Sequence, residues 1–189
     1  ALTEHFNSSF ARLYQHRVQF KQFDGTWSPV CERLILSKDR AVAVLLYDRV
    51  LDRVVLLEQV RFGAINDAKS PWLFEVVAGL CDTDQSPEDT AKREVREETG
   101  LAIDRVSPIA SFYSTPGSCD EYVHLYYAFV DSQQVRGVHG CANELEDIKL
   151  HVVDRETAVQ SIQSGAIRNA FTIIALQWLQ LHWQDFVER

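Results

Sequence analysis

The sequence predicts an α+β protein, a mixed β-sheet flanked by helices and preceded by a small antiparallel β segment. Three observations carry that expectation. Short β-rich runs and helical stretches follow one another in the order β, β, α, β, β, α, α, which suits sheets and helices packed in layers. The first forty residues alternate polar and apolar side chains, a period-2 pattern. One central stretch carries a full set of helix start and stop signals.

In chain order, Arg17–Phe23 alternates up to Asp24-Gly25, a turn pair, so a hairpin is expected there. Residues 1–40 are read as this N-terminal β segment and 41–189 as the main domain. Strands are expected at 41–47, 53–60 and 72–78, where β-branched and aromatic residues cluster. The best-marked helix follows. Ser86 suits the N-cap, Pro87 the first helical position and Asp89 the capping-box position, and Gly100 closes the helix. Strands resume near 107–114, 122–130 and 147–153. One helix starts behind Asp154, and another near 168–184 carries Ile173, Ile174, Leu176, Leu179 and Trp183 at helical spacing.

Composition narrows the function classes. With 189 residues, 46% of them hydrophobic, the chain can bury a core without staples. Its net charge of −8 argues against non-specific nucleic-acid binding, which needs Lys and Arg to neutralise phosphates. A small anionic substrate remains open, because a divalent metal held by carboxylates reverses the local sign. The longest apolar run, Ala41–Tyr47, has the length of a strand and not of a membrane span. Cys31, Cys81, Cys119 and Cys141 are widely spaced, with no C-x-x-C pair, and are expected to be inert free thiols of a cytoplasmic protein.

The chemistry is expected on the central helix. Glu94, Glu97 and Glu98 stand at i, i+3 and i+4, so they share one face, expected to be exposed. Like charges at that spacing disfavour a bare helix, and Arg93 relieves only part of the repulsion. Clustered hard oxygens suit Mg²⁺, or Mn²⁺, and not zinc, since no His or Cys converges here.

The block from Gly79 to Leu101 (GLCDTDQSPEDTAKREVREETGL) resembles the Nudix box, G-x5-E-x7-R-E-U-x-E-E-x-G-U, with U a bulky apolar residue. Gly79, Arg93, Glu94, Val95, Glu97, Glu98, Gly100 and Leu101 fit in register, whereas Gln85 stands in place of the first glutamate. The resemblance implies an α/β/α Nudix-type sandwich and a hydrolase that cuts a diphosphate linkage. It makes Glu94, Glu98 and the Ala78 carbonyl metal ligands. Glu97 becomes either a further ligand or the partner of Arg93.

Outside the box, several stretches resemble bacterial ADP-ribose pyrophosphatases: Leu57–Arg61, Pro71–Gly79, Ser111–Gly117, Gly137–Gly140 with Asn143–Asp147, and Ile174–His182. Pro116, fifteen positions past Leu101, matches the proline that marks this branch. This likeness implies hydrolysis of ADP-ribose to AMP and ribose 5-phosphate. It implies Glu144 as the base that activates water and Glu146 as a carboxylate supporting a metal. Arg33, Lys38, Arg61, Leu80, Thr115, Gly117 and Glu121 become substrate-binding candidates, Glu121 toward the terminal ribose. The N-terminal segment is similar, more weakly, to the extra β domain through which this branch forms homodimers. Hydrolysis of GDP-mannose or ADP-glucose on the same scaffold is the alternative. A non-catalytic nucleotide-binding regulator is another, for which Gln85 is the one supporting feature, and a purely structural interaction domain would leave the acidic face unexplained.

Overall fold

The computed structural model describes residues 1–8, 11–81, 84–140 and 146–187. It divides into two compact units, residues 1–40 with 112–123, and residues 41–111 with 124–189.

The first unit holds β1 (Leu2–Asn7), β2 (Arg12–Val18) and β3 (Cys31–Ser37) as an antiparallel sheet in that order. The hairpin expected around Asp24-Gly25 is shorter than its pattern. β2 ends at Val18, and the turn closes only a single bridge between Lys21 and Trp27. Ser28 explains the early stop. Its hydroxyl and amide bond to the backbone of Phe20, and its carbonyl accepts from Gln19, so the chain is held by one buried side chain instead of a ladder. The 112–123 stretch joins this unit through the end of β3. Leu36 exchanges backbone bonds with Ser118 and Asp120, and the Asp120 carboxylate accepts from Ser37 Oγ at 2.7 Å and Lys38 N at 2.8 Å.

The second unit is organised by a fork. β4 (Ala41–Asp48) and β5 (Arg53–Val60) pair only from Leu46–Val55 to Asp48–Arg53, then part. The ribbon 72–80 fills the gap. Its first half, β6 (Trp72–Glu75), pairs with β5, and its second, β7 (Val77–Leu80), pairs with β4. The single strand expected at 72–78 is therefore broken at Val76, where the partner changes. There the Val76 amide donates to Thr172 Oγ1 at 3.0 Å, which keeps a buried N–H satisfied.

Beyond the ribbon come α1 (Pro87–Thr99), β8 (Ser107–Tyr113), β9 (Tyr122–Phe129), β10 (Val138–His139), β11 (Ile148–Asp154), α2 (Arg155–Gln163), α3 (Ala170–His182) and the short α4 (Gln184–Val187). Among the described residues the mixed sheet runs β10-β11-β5-β4-β9-β8, with β6 and β7 on β5 and β4. All eight residues of β4 are buried, as in a strand covered on both faces. α1 packs on β4 and β7, and α3 on β4 and β6. Ala91, Val95 and Leu101 join Val42, Val44, Leu57 and Val77 in the core on the α1 side.

The caps of α1 are those expected. Ser86 Oγ accepts from the Asp89 amide at 3.1 Å and donates to the Asp89 carboxylate. Gly100 is left-handed at φ 70°, its amide bonded to Arg96 O, and the helix stops where its successor would need an unfavourable turn.

Candidate active site

The fork places the candidate residues. Arg61 leaves the end of β5, Glu75 ends β6, and Ala78, Gly79 and Leu80 lie on β7 beneath α1. Glu98 is buried, only 3% exposed, and its Oε2 accepts the Ala78 amide at 3.1 Å. This corrects the exposed acidic face expected from the sequence: the face turns inward at Glu98, beside buried Val95 and Thr99. Burial pushes the Glu98 carboxyl well above the usual range. The Ala78 amide and Arg61 oppose that push, and the charges of Glu94 and Glu146 add to it.

Glu94 lies across Gly79. A Cβ built on that glycine would sit inside the Glu94 carboxylate group, so the box glycine is a matter of close approach. Arg93 bonds both neighbours, Glu94 through Nη2 and Glu97 through Nη1, each at 2.8 Å. Glu97 is half exposed and engaged with Arg93. Glu146 acts electrostatically on both Glu98 and Arg61. Glu144 lies outside the described residues, as do Cys141 and Asn143.

Arg61 is held from behind. Its Nε and Nη2 donate to Glu75 Oε2 at 2.8 and 2.6 Å. Glu75 is 1% exposed, and its Oε1 accepts from Asn169 Nδ2 at 2.9 Å. Burial works against the Arg61 charge, but the Glu75 bonds and charge outweigh it and hold the pKa above its ordinary value. Sequence reasoning missed Glu75 and Asn169. The available signal was a lone carboxylate inside the apolar run Trp72-Leu-Phe-Glu-Val-Val, since acids are seldom fully buried unless paired.

In the first unit, Lys38 Nζ meets Glu121 Oε1 at 3.3 Å, two candidates 83 residues apart. Thr115 and Gly117 lie in an exposed turn in which Thr115 O accepts from Ser118 and Cys119. Arg33 is exposed, with Nη1 on Glu32 O, and joins none of the other candidates within its unit. In the second unit a cleft of about 950 Å³, lined by Arg49, Arg105, Tyr127 and Phe129 among others, contains no box residue.

The donor set can be tested against a divalent cation. Among the described residues no three His, Cys, Asp or Glu side chains converge closely enough to hold an ion alone. Glu94, Glu98 and the Ala78 carbonyl are nevertheless hard oxygens on adjoining α1 and β7, with Glu98 buried near the like charges of Glu94 and Glu146. An ion that keeps waters and takes only one or two carboxylates fits such a set better than a closed protein cage does.

With this arrangement in view, the chain belongs to the Nudix family, whose domain, described as NUDIX domain, matches residues 37–170. Among curated relatives, an ADP-ribose pyrophosphatase of Escherichia coli (strain K12) is 43% identical over 175 residues, covering 93% of this chain and 84% of that protein. An ADP-ribose pyrophosphatase of Haemophilus influenzae is 45% identical over 172 residues, 88% of this chain and 79% of that protein. A GDP-mannose pyrophosphatase of Yersinia pestis is 32% identical over 183 residues, 95% and 90% of the two chains. Among the described residues no helix is long and apolar enough to cross a membrane.

Proposed function

We propose that this Nudix hydrolase is a magnesium-dependent ADP-ribose diphosphatase that releases AMP and ribose 5-phosphate. The observation that carries the reading is the seating of Glu94 and Glu98 against β7 in a chain 43% identical to an ADP-ribose pyrophosphatase over nearly its full length. Glu94, Glu98 and Ala78 O would hold Mg²⁺, with Mn²⁺ as a substitute, and Glu146 would support it. When bound, the ion supplies charge neutralisation at the diphosphate and an activated water.

The chain's own residues do the rest. Arg61, fixed by Glu75, presents positive charge to the diphosphate. Arg93 pairs with both Glu94 and Glu97 on α1 and so preserves the orientation of Glu94. Leu80, next to the box glycine on β7, offers apolar packing to the substrate, and Lys38, Glu121, Thr115, Gly117 and Arg33 serve substrate binding, Glu121 at the terminal ribose. Glu144, assigned from the resemblance of its loop to bacterial ADP-ribose pyrophosphatases, takes the proton from the attacking water. The enzyme acts as a homodimer in the cytoplasm.

The test is a metal-dependent hydrolysis screen over ADP-ribose, GDP-mannose and ADP-glucose with product identification. ADP-ribose should give the highest kcat/KM, and a higher value for GDP-mannose would replace the substrate. Glu144→Gln should lower kcat by about 10²–10⁴, the range for loss of a general base, with KM little changed. Glu146→Gln should instead shift the metal dependence.

A further inference from the structure

Behind the proposed diphosphate-binding arginine stands a buried relay that its own strand does not supply. Both Arg61 donors, Nε and Nη2, converge on one oxygen of Glu75, at 2.8 and 2.6 Å, and Nη1 takes no part in this grip. Gln59 Nε2 reaches the same oxygen at 3.4 Å. The other oxygen belongs to Asn169 Nδ2 at 2.9 Å. Asn169 is also the N-cap of α3, where its Oδ1 accepts from the Thr172 amide at 3.1 Å and the Thr172 hydroxyl at 3.2 Å. Thr172 in turn accepts from Val76, the point at which the ribbon changes partner. A carboxylate that is 1% exposed is tolerated only when paired and bonded on both oxygens. Here the pairing is spent on one arginine whose side chain is itself 41% exposed and whose charge reaches Glu98 and Glu146.

We propose that Glu75, set by the α3 cap residue Asn169, is a positioning residue that holds the Arg61 guanidinium in its substrate-binding orientation before substrate arrives. The proposal rests on Arg61 meeting the diphosphate, as in the function proposed above. A free arginine samples many rotamers, and ordering it would oppose binding at every encounter. Glu75 orders it at folding, and the charge-assisted bonds fix the plane of the guanidinium. Asn169 makes the arrangement depend on α3, 94 residues away in sequence. Glu75 does not touch the reacting atoms in this scheme, and its effect is exerted through Arg61.

The experiment combines a mutant cycle with a readout that needs no turnover. Glu75→Gln keeps the side-chain volume and removes the charge. It should lower kcat/KM for ADP-ribose about tenfold, within the coupling range of charged neighbours, mainly through KM, as expected when ground-state binding is lost. In the Arg61→Ala background the same change should cost less than twofold, and the double variant removes the buried Glu75 charge together with its partner, which protects folding. Asn169→Ser retains a capping side chain while deleting the donor to Glu75, and it should lower kcat/KM about threefold. Independently, nitrogen-resolved NMR should show a slowly exchanging Arg61 Nε–H in the wild type, assigned by its loss in Arg61→Lys, and fast exchange in Glu75→Gln. Losses that multiply in the double variant, or a folded Glu75→Gln protein with unchanged kcat/KM and unchanged Nε–H exchange, would overturn the proposal. A wild type inert toward every nucleoside diphosphate sugar would refute the proposed function, and the exchange measurement would still decide whether Glu75 holds Arg61.

Discussion

Replacing Gly79 by alanine separates catalysis from folding more cleanly than removing a carboxylate does. Gly79 is not among the glycines with left-handed backbone, so alanine meets no torsional penalty there. The new methyl group collides instead with the Cγ, Cδ and Oε1 atoms of Glu94. These belong to a flexible side chain, which can give way by a χ rotation at a cost of about 0.5–1.5 kcal/mol for roughly 30° off its rotamer. For a protein of this size that is a Tm decrease of roughly 1–6 °C. The displaced Glu94, however, loses its place over β7. A group one step removed from a metal already costs about 10–100-fold when altered, so loss of Glu94 as the proposed ligand should cost at least about 10²-fold in kcat/KM. The assay is hydrolysis across a Mg²⁺ titration for Gly79→Ala, Glu94→Gln and the double variant, with a thermal melt of each. The two single variants should be equally impaired, and the double no worse than Glu94→Gln. A Gly79→Ala enzyme with wild-type kcat/KM, or one that loses activity only because it unfolds, would refute the reasoning.

Two further outcomes test other parts of the molecule. Burial of Asp48 opposes its ionisation, but bonds from the Ser132 hydroxyl and the Ser132, Leu51 and Val50 amides outweigh it and lower its pKa below 3.8. A depressed folded pKa adds stability above the unfolded value that is lost as pH falls through the folded one. Asp48→Asn should therefore be less stable at pH 7 by about 1–3 kcal/mol, with the gap to wild type narrowing below about pH 4, and denaturant melts at several pH values would show a constant gap if the bonds do not matter. Phe6, Leu34 and Leu36 share one face of the β1–β3 sheet by register and are exposed, an apolar patch that a second copy would cover. Sedimentation at tens of micromolar should give a dimer, and Phe6→Glu with Leu34→Glu should give a monomer; a wild-type monomer with full activity would dismiss the pairing.

What could be read in advance was local. Ser86, Pro87 and Gly100 mark α1 by interactions within a turn or two, and the structure shows those caps. The 53–60 strand was visible for the same reason, as a run whose β-branched and apolar residues agree with one another. The fork was not visible, because the break at Val76 follows from β4 and β5 diverging, and a run that is apolar apart from Glu75 contains nothing of that. Glu98 was misjudged because three nearby glutamates resemble a solvated face until β7 is laid against them. The Glu75–Asn169 bond spans 94 residues, and neither residue belongs to the box that drew attention to this region.

The bond from the Val76 amide to Thr172 means that a helix near the carboxyl end completes the hydrogen bonding of the ribbon carrying Ala78, Gly79 and Leu80. Shortening the protein ahead of α3, as one would to obtain a minimal catalytic fragment, would expose an unmet buried donor at the branch point and release Asn169 with it. The fragment would keep every box residue and still lose the scaffold that orients them. Engineering that grafts the box onto another host, or divides this chain into complementing halves, should therefore treat residues 72–80 and 169–176 as one inseparable cassette.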